Sequence, residues 1–142
     1  MSTKKANQKL PHYQVSAGLI RNNGKILITQ RRFSDNCGGL WEFPGGKQKS
    51  QETLAQCLIR EISEELNIQI LVDKKLMSVT HNYDHAQITL HIFLCSLQNG
   101  TPESKQVQDW QWIDLSKIDQ YDFTEADRKV VQKLKALKHI PL

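Results

Sequence analysis

Cysteine is scarce in this chain of 142 residues. Cys37, Cys57 and Cys95 are odd in number and stand at no metal-ligand spacing, which argues against a disulfide framework and against a zinc site. Cys57 and Cys95 fall in apolar stretches, where a thiol acts as a small hydrophobe. No apolar run approaches the roughly 18 residues that a membrane-spanning helix needs. Met1 to Leu10 is polar rather than signal-like, so the expectation is a cytoplasmic protein with no membrane partner. Repeats, low-complexity tracts and linkers are missing too. That leaves a single domain over 1–142, monomeric, with 1–11 expected as a flexible N-terminal segment. Nor does charge of one sign form a block: the net charge of +4 is scattered, apart from modest clusters at Lys4, Lys5 and Lys9 and near the C-terminus. Such a balance suits a small phosphate ligand as well as a nucleic acid.

What is present is an alternation of strand and helix signals. Tyr13–Ile20 and Lys25–Thr29 are β-rich and flank Asn22-Asn23-Gly24, residues that tolerate positive φ, which predicts a hairpin. A short strand over 38–43 is expected to end at Pro44-Gly45-Gly46, a backbone break able to approach a ligand. Leu54, Leu58, Ile62 and Leu66 recur every four positions, which predicts a helix opened by Ser50 or Gln51 and closed by Asn67. Further strands are expected at 68–72, 76–81, 88–97 and 110–113. Thr124 is the expected N-cap of a last helix with Ala126, Val130, Val131, Leu134 and Leu137 as its buried stripe. The natural architecture is α/β, with helices packed on a mixed β-sheet.

The central helix carries Arg60-Glu61-Ile62-Ser63-Glu64-Glu65. At about 100° per residue, Glu61, Glu64 and Glu65 span an arc of roughly 100°, so their carboxylates can converge on one point. Glu65 projects between Leu54 and Leu58, inside the arc that otherwise faces the core. Carboxylates crowded at a buried edge need a compensating charge, and hard oxygen donors select Mg²⁺, with Mn²⁺ as the alternative. A glutamate-rich helix alone is more often a solvated face, so the surrounding register decides.

Counting from Gly46 there are five residues to Glu52, then seven to Arg60-Glu61-Ile62-Ser63-Glu64-Glu65-Leu66-Asn67-Ile68. This resembles the Nudix box, G-x5-E-x7-R-E-U-x-E-E-x-G-U, at every defined position except Asn67, which stands for the last glycine. Both residues tolerate the left-handed conformation that ends a helix. Leu40-Trp41-Glu42-Phe43-Pro44-Gly45-Gly46-Lys47 is similar to the L-x-E-F-P-G-G-K segment of MutT-type enzymes, and the resemblance extends over roughly Tyr13 to Leu137.

The resemblance implies a Nudix α/β/α sandwich, with a central Nudix-box helix and a C-terminal helix, and release of pyrophosphate from a nucleoside triphosphate. It implies that Glu61, Glu64 and Glu65, with the carbonyl of Gly45, hold the metal, and that Arg60 and Glu52 brace loop and helix by an ion pair. It implies a base pocket of Arg31, Phe43 and Asp127, with Lys47 nearer the phosphates. Gln106 stands where many relatives carry a further glutamate, and Glu103 or Asp109 are the alternatives for that role. Asp127 stands where MutT has asparagine, and an ionised aspartate only accepts hydrogen bonds. The expected substrate is 8-oxo-dGTP or a related (d)NTP, a reaction that sanitises the nucleotide pool. An RNA 5′ end is the second reading. A non-catalytic module that reads oxidised guanine is the third, disfavoured because such modules lack the acidic box.

Overall fold

A computed structural model of the chain describes residues 10–137 and Ile140. The expectation for 1–11 thus falls outside the described residues except at Leu10 and Pro11. Strands β1 (His12–Asn22) and β2 (Lys25–Gln30) form the expected hairpin. Asn23 and Gly24 sit at φ 52° and 75°, the two positive angles that a tight hairpin turn needs.

The segment 38–43 departs from expectation. Only Trp41–Glu42 is strand (β3), and Gly45–Lys47 is not a break but a further strand, β4, antiparallel to β1 with Gly45 opposite Ala17. Neither Gly45 nor Gly46 has positive φ. What demands glycine is proximity: a Cβ on Gly45 would stand 1.8 Å from the carbonyl oxygen of Ser16.

Helix α1 spans Leu54–Leu66 and begins later than predicted. Gln51 sits at φ 65°, outside helical space, so neither it nor Ser50 opens the helix. Thr53 does, as a capping box: its Oγ1 accepts from Gln56 N–H at 3.0 Å, and Gln56 Oε1 accepts from Thr53 N–H at 2.9 Å. Asn67 ends the helix in the left-handed region, as predicted.

Next come β5 (Gln69–Asn82), β6 (Gln87–Asn99), β7 (Asp109–Ile113), a 3₁₀ segment at Leu115–Gln120, and α2 (Glu125–Ala136). β5 joins two predicted strands into one, with register shifts near Val72/Lys74 and Lys75/Met77 where the apolar pattern lapses. α2 is capped by Thr124, and Leu137 lies past its end, 44% exposed, so the buried stripe stops at Leu134 and includes Asp127 instead.

The seven strands form one mixed sheet in the order β3-β2-β1-β6-β5, with β4 on β1 and β7 on β2. β1 and β6 run parallel. Alternation distributes the core over both faces. Leu19, Ile28 and Ile92 face α2 with Val130 and Leu134. Ile20, Leu27, Phe93 and Cys95 face α1 with Leu58, Ile62 and Leu66. Two helices on opposite faces of a mixed sheet make the expected α/β/α sandwich.

Candidate active site

A cleft of about 620 Å³ opens where β4, the second half of α1 and the start of α2 meet the sheet. Its lining takes Glu61 and Glu65 from α1, Gly45, Gly46 and Lys47 from β4, Arg31 after β2, Glu42 and Phe43 from β3 onward, and Asp127 from α2. Of the ten residues singled out from the sequence, seven therefore lie along one cavity: Arg31, Phe43, Gly45, Lys47, Glu61, Glu65 and Asp127.

Glu61 lies hard against β4: a Cβ on Gly46 would come within 2.2 Å of its Cδ. One turn on, burial beside the Glu42 and Glu61 carboxylates pushes the Glu65 carboxyl up to about 9. Burial also raises Glu61, against the pull of Arg60.

Glu64 behaves differently. Its side chain is 41% exposed, lies outside the cleft lining, and accepts from Arg60 Nη1 at 2.7 Å. Arg60 Nη1 also reaches Glu61 Oε2 at 3.2 Å. Glu61, Glu64 and Glu65 are thus not gathered about one point, and among the described residues no three His, Cys, Asp or Glu side chains form a metal-holding group. Arg60 supplies the counter-charge for two of the three.

The predicted brace is present and strong. Arg60 grips Glu52 through two bonds, Nη2 to Oε1 at 2.7 Å and Nε to Oε2 at 3.0 Å. Together with the Lys49 N–H, this holds the Glu52 carboxyl down at about 2, and it raises the guanidinium in turn. The loop between β4 and α1 is thereby fixed to the helix that carries the acids.

At the other end of the cleft Asp127 is 4% exposed. Its Oδ1 accepts from Phe43 N–H at 3.0 Å and its Oδ2 from the Thr124 hydroxyl at 2.5 Å. Burial pushes its carboxyl upward against both bonds. Phe43 lines the cleft, but the residue is only 2% exposed and its ring stacks on Phe123 at 5.4 Å, so it offers a ligand little open face. Lys47 Nζ rests 3.9 Å over the ring of Tyr13.

Glu42 is the residue that sequence reasoning missed. It lies within the Leu40–Lys47 segment, where nothing local sets it apart. In the fold it stands between the two ends of the cleft, and burial beside Asp127 raises its carboxyl while Arg31 opposes the shift. Arg31 Nη1 donates to Glu42 at 3.2 Å, and its Nε to the Asn36 carbonyl at 2.6 Å. The one available signal was a lone acid between Trp41 and Phe43. Asp127, Glu42, Glu65 and Glu61 thus form a file of acids along the cleft floor, with Arg31 as the nearby cation.

That donor set fits a divalent cation. It is all hard oxygen, buried and crowded enough that one carboxyl holds its proton to about 9, and it needs positive charge to ionise fully. Gln106 reaches the same end, because its N–H and that of Lys105 both donate to the Glu65 carbonyl, at 3.2 and 3.1 Å. Glu103 and Asp109 do not replace it. Glu103 accepts from Asn67 Nδ2 at 2.6 Å, Asp109 accepts from Trp110 N–H at 2.8 Å, and neither lines the cleft.

Comparison with known proteins agrees with this geometry. The family described as NUDIX domain matches residues 16–133. The chain is 34% identical over 125 residues to an 8-oxo-dGTP diphosphatase of Escherichia coli, covering 87% of this chain and 97% of that protein. It is 33% identical over 125 residues to a CTP pyrophosphohydrolase of the same organism, covering 88% and 93%. Among solved structures, a MutT protein from Methanosarcina mazei superposes with a TM-score of 0.81 over 92% of this chain and 97% of that one, and its 22% identity speaks to the fold alone.

Proposed function

The chain belongs to the Nudix family and is a nucleoside triphosphate pyrophosphohydrolase, and we propose that its substrate is 8-oxo-dGTP or a related oxidised (d)NTP, cleaved with Mg²⁺ to the monophosphate and pyrophosphate. The observation that carries this reading is the single cleft joining Glu61 and Glu65 at one end to Asp127 at the other. A nucleotide laid along it puts its charged chain over the acids and its base against α2.

Members of this family use divalent metal ions. Here Glu61 and Glu65, the Gly45 carbonyl and, once released from Arg60, Glu64 would hold the ion. When bound, it would supply positive charge against the phosphates and lower the pKa of water. Arg60, braced by Glu52, holds the acids in register. Lys47, steadied by Tyr13, meets the phosphates as a point charge.

Asp127 selects the base. Its oxygens already accept from Phe43 N–H and the Thr124 hydroxyl, so what remains when it is ionised is acceptor capacity toward a base N–H. Oxidised guanine offers such a donor at the edge altered by oxidation. The cytosine amino group offers one as well, which, with the 33% identical CTP pyrophosphohydrolase, adds CTP as a reading beside the RNA 5′ end.

Steady-state turnover of 8-oxo-dGTP, dGTP, CTP and 5′-triphosphorylated RNA with Mg²⁺, read as pyrophosphate against orthophosphate, separates these. Pyrophosphate release fastest from 8-oxo-dGTP is expected. Orthophosphate as the sole product would refute the reaction, while a higher kcat/KM on CTP or RNA would replace the substrate.

A further inference from the structure

His81, near the end of β5, lies outside the cleft lining and belongs to neither end of the site. Its side chain is 16% exposed, and its Nε2–H donates to Glu125 Oε2 at 2.7 Å. Its Nδ1 is buried with no hydrogen-bond partner among the described residues. A buried orphan of this kind costs free energy, and an apolar ring of the same shape would leave none. What an imidazole adds at this position is therefore the bond from Nε2 to the first turn of α2.

The same ring stands edge-on to Tyr83, with centroids 4.6 Å apart and planes at 70°. The Tyr83 hydroxyl accepts from the Ala126 N–H at 3.1 Å, one of the donors that a helix start leaves without an intrahelical partner. Glu125, Ala126 and Asp127 are consecutive. His81 at the end of β5 and Tyr83 just past it thus grip the first two directly, and the third is the acid that faces the cleft. Lys129 adds a tie one turn on, donating to the Thr80 carbonyl at 2.8 Å.

We propose that His81 is a positioning residue for base discrimination: through Glu125 and Tyr83 it holds the first turn of α2 so that Asp127 presents its free acceptor to the nucleobase at a fixed angle. The inference rests on the nucleotide reading above and deepens it. It assigns selectivity to the His81–Glu125 contact outside the cleft, beside Tyr83, which lines it. Loosening that contact lets the first turn of α2 shift, carrying with it the Asp127 carboxylate that Phe43 N–H and the Thr124 hydroxyl hold, which weakens recognition of the preferred base more than that of the others.

His81→Phe keeps the ring and its contact with Tyr83 and removes the bond to Glu125. Kinetics on 8-oxo-dGTP, dGTP and CTP are measured for the wild type and variants, together with melting temperatures. The ratio of kcat/KM between the best and poorest base is expected to fall about tenfold in His81→Phe, the scale of one hydrogen bond to a charged acceptor. The loss should appear in KM, with kcat on the best substrate largely kept. Glu125→Ala should reproduce it. Glu125→Gln, whose amide oxygen still accepts from Nε2–H, should keep the wild-type ratio. An unchanged base ratio in His81→Phe and Glu125→Ala, or an equal loss of kcat on every base, overturns the proposal. If His81→Phe fails to fold, Glu125→Ala carries the test from an exposed side chain. Wild-type protein that hydrolyses none of the three nucleotides would instead overturn the nucleotide reading, before any variant is compared.

Discussion

Gly45 and Gly46 are adjacent, yet a methyl group on each meets a different obstacle. On Gly45 it strikes the backbone carbonyl of Ser16 at 1.8 Å, and that strand cannot move without breaking its pairing. Gly45→Ala should therefore lower the melting temperature sharply or abolish soluble expression. On Gly46 the methyl strikes the end of the Glu61 side chain, which can rotate away. Gly46→Ala should fold with near-normal melting behaviour but lose turnover on the order of a hundredfold, because displacing a ligand-bearing group by about 1 Å has effects of that size. Equal melting temperatures for the two variants would contradict the assignment. Neither duty was legible from the Pro44-Gly45-Gly46 triplet, which read as a backbone break able to approach a ligand rather than as a strand packed against β1 and Glu61. Glycine chosen for close approach looks the same in sequence as glycine chosen for φ. Glu42 was illegible for a similar reason: its partners Arg31 and Asp127 are brought to it by tertiary contacts, with no local pattern to announce them.

Helix α1 shows what periodicity carries and what it does not. Leu58, Ile62 and Leu66 are buried as their spacing predicts, and Asn67 closes the helix in the left-handed region. The start was misplaced because Ser50, Gln51 and Thr53 are all acceptable near a helix N-terminus, and only the backbone at Gln51 decides among them. The reciprocal Thr53–Gln56 bonds make a direct test possible. Thr53→Ala should cost about 1 kcal/mol of stability in denaturant titration, whereas Ser50→Ala should cost nothing measurable. At the other end, Asn67→Gly should be tolerated, since it keeps the positive φ of the cap and gives up only the exposed bond to Glu103. Asn67→Ala should destabilise by about 1 kcal/mol, because alanine resists that region. Turnover in all of these should follow stability alone, since none touches the cleft lining.

Over the whole molecule the layered fold was readable, because strand alternation and helical period are local properties that the sandwich merely collects. The union of two predicted strands into β5, and the parallel pairing of β1 with β6, depend on partners distant in the chain and were not. The same long-range assembly creates the electrostatic state of the cleft, which belongs to no single element: α1, β3 and α2 each deliver acids to one floor. Its most strained member is Glu65, raised from 4.5 to about 9, chiefly by burial. Between those values the folded protein keeps a proton that the unfolded chain has released, so unfolding sheds protons and is favoured as pH rises. Without metal, stability should be greatest at or below about 4.5 as far as Glu65 is concerned, and should decline as pH climbs toward 9. Other groups contribute their own slopes, so the comparison is with Glu65→Gln, which cannot titrate and should flatten the decline. Mg²⁺ binds the ionised form, so its stabilising effect on the wild type should grow with pH and be smaller in the variant. Melting temperatures across this range, with and without Mg²⁺, supply the measurement. Parallel pH slopes for wild type and Glu65→Gln would mean that the proton is held elsewhere in the file of acids, with Glu42 the next group to replace.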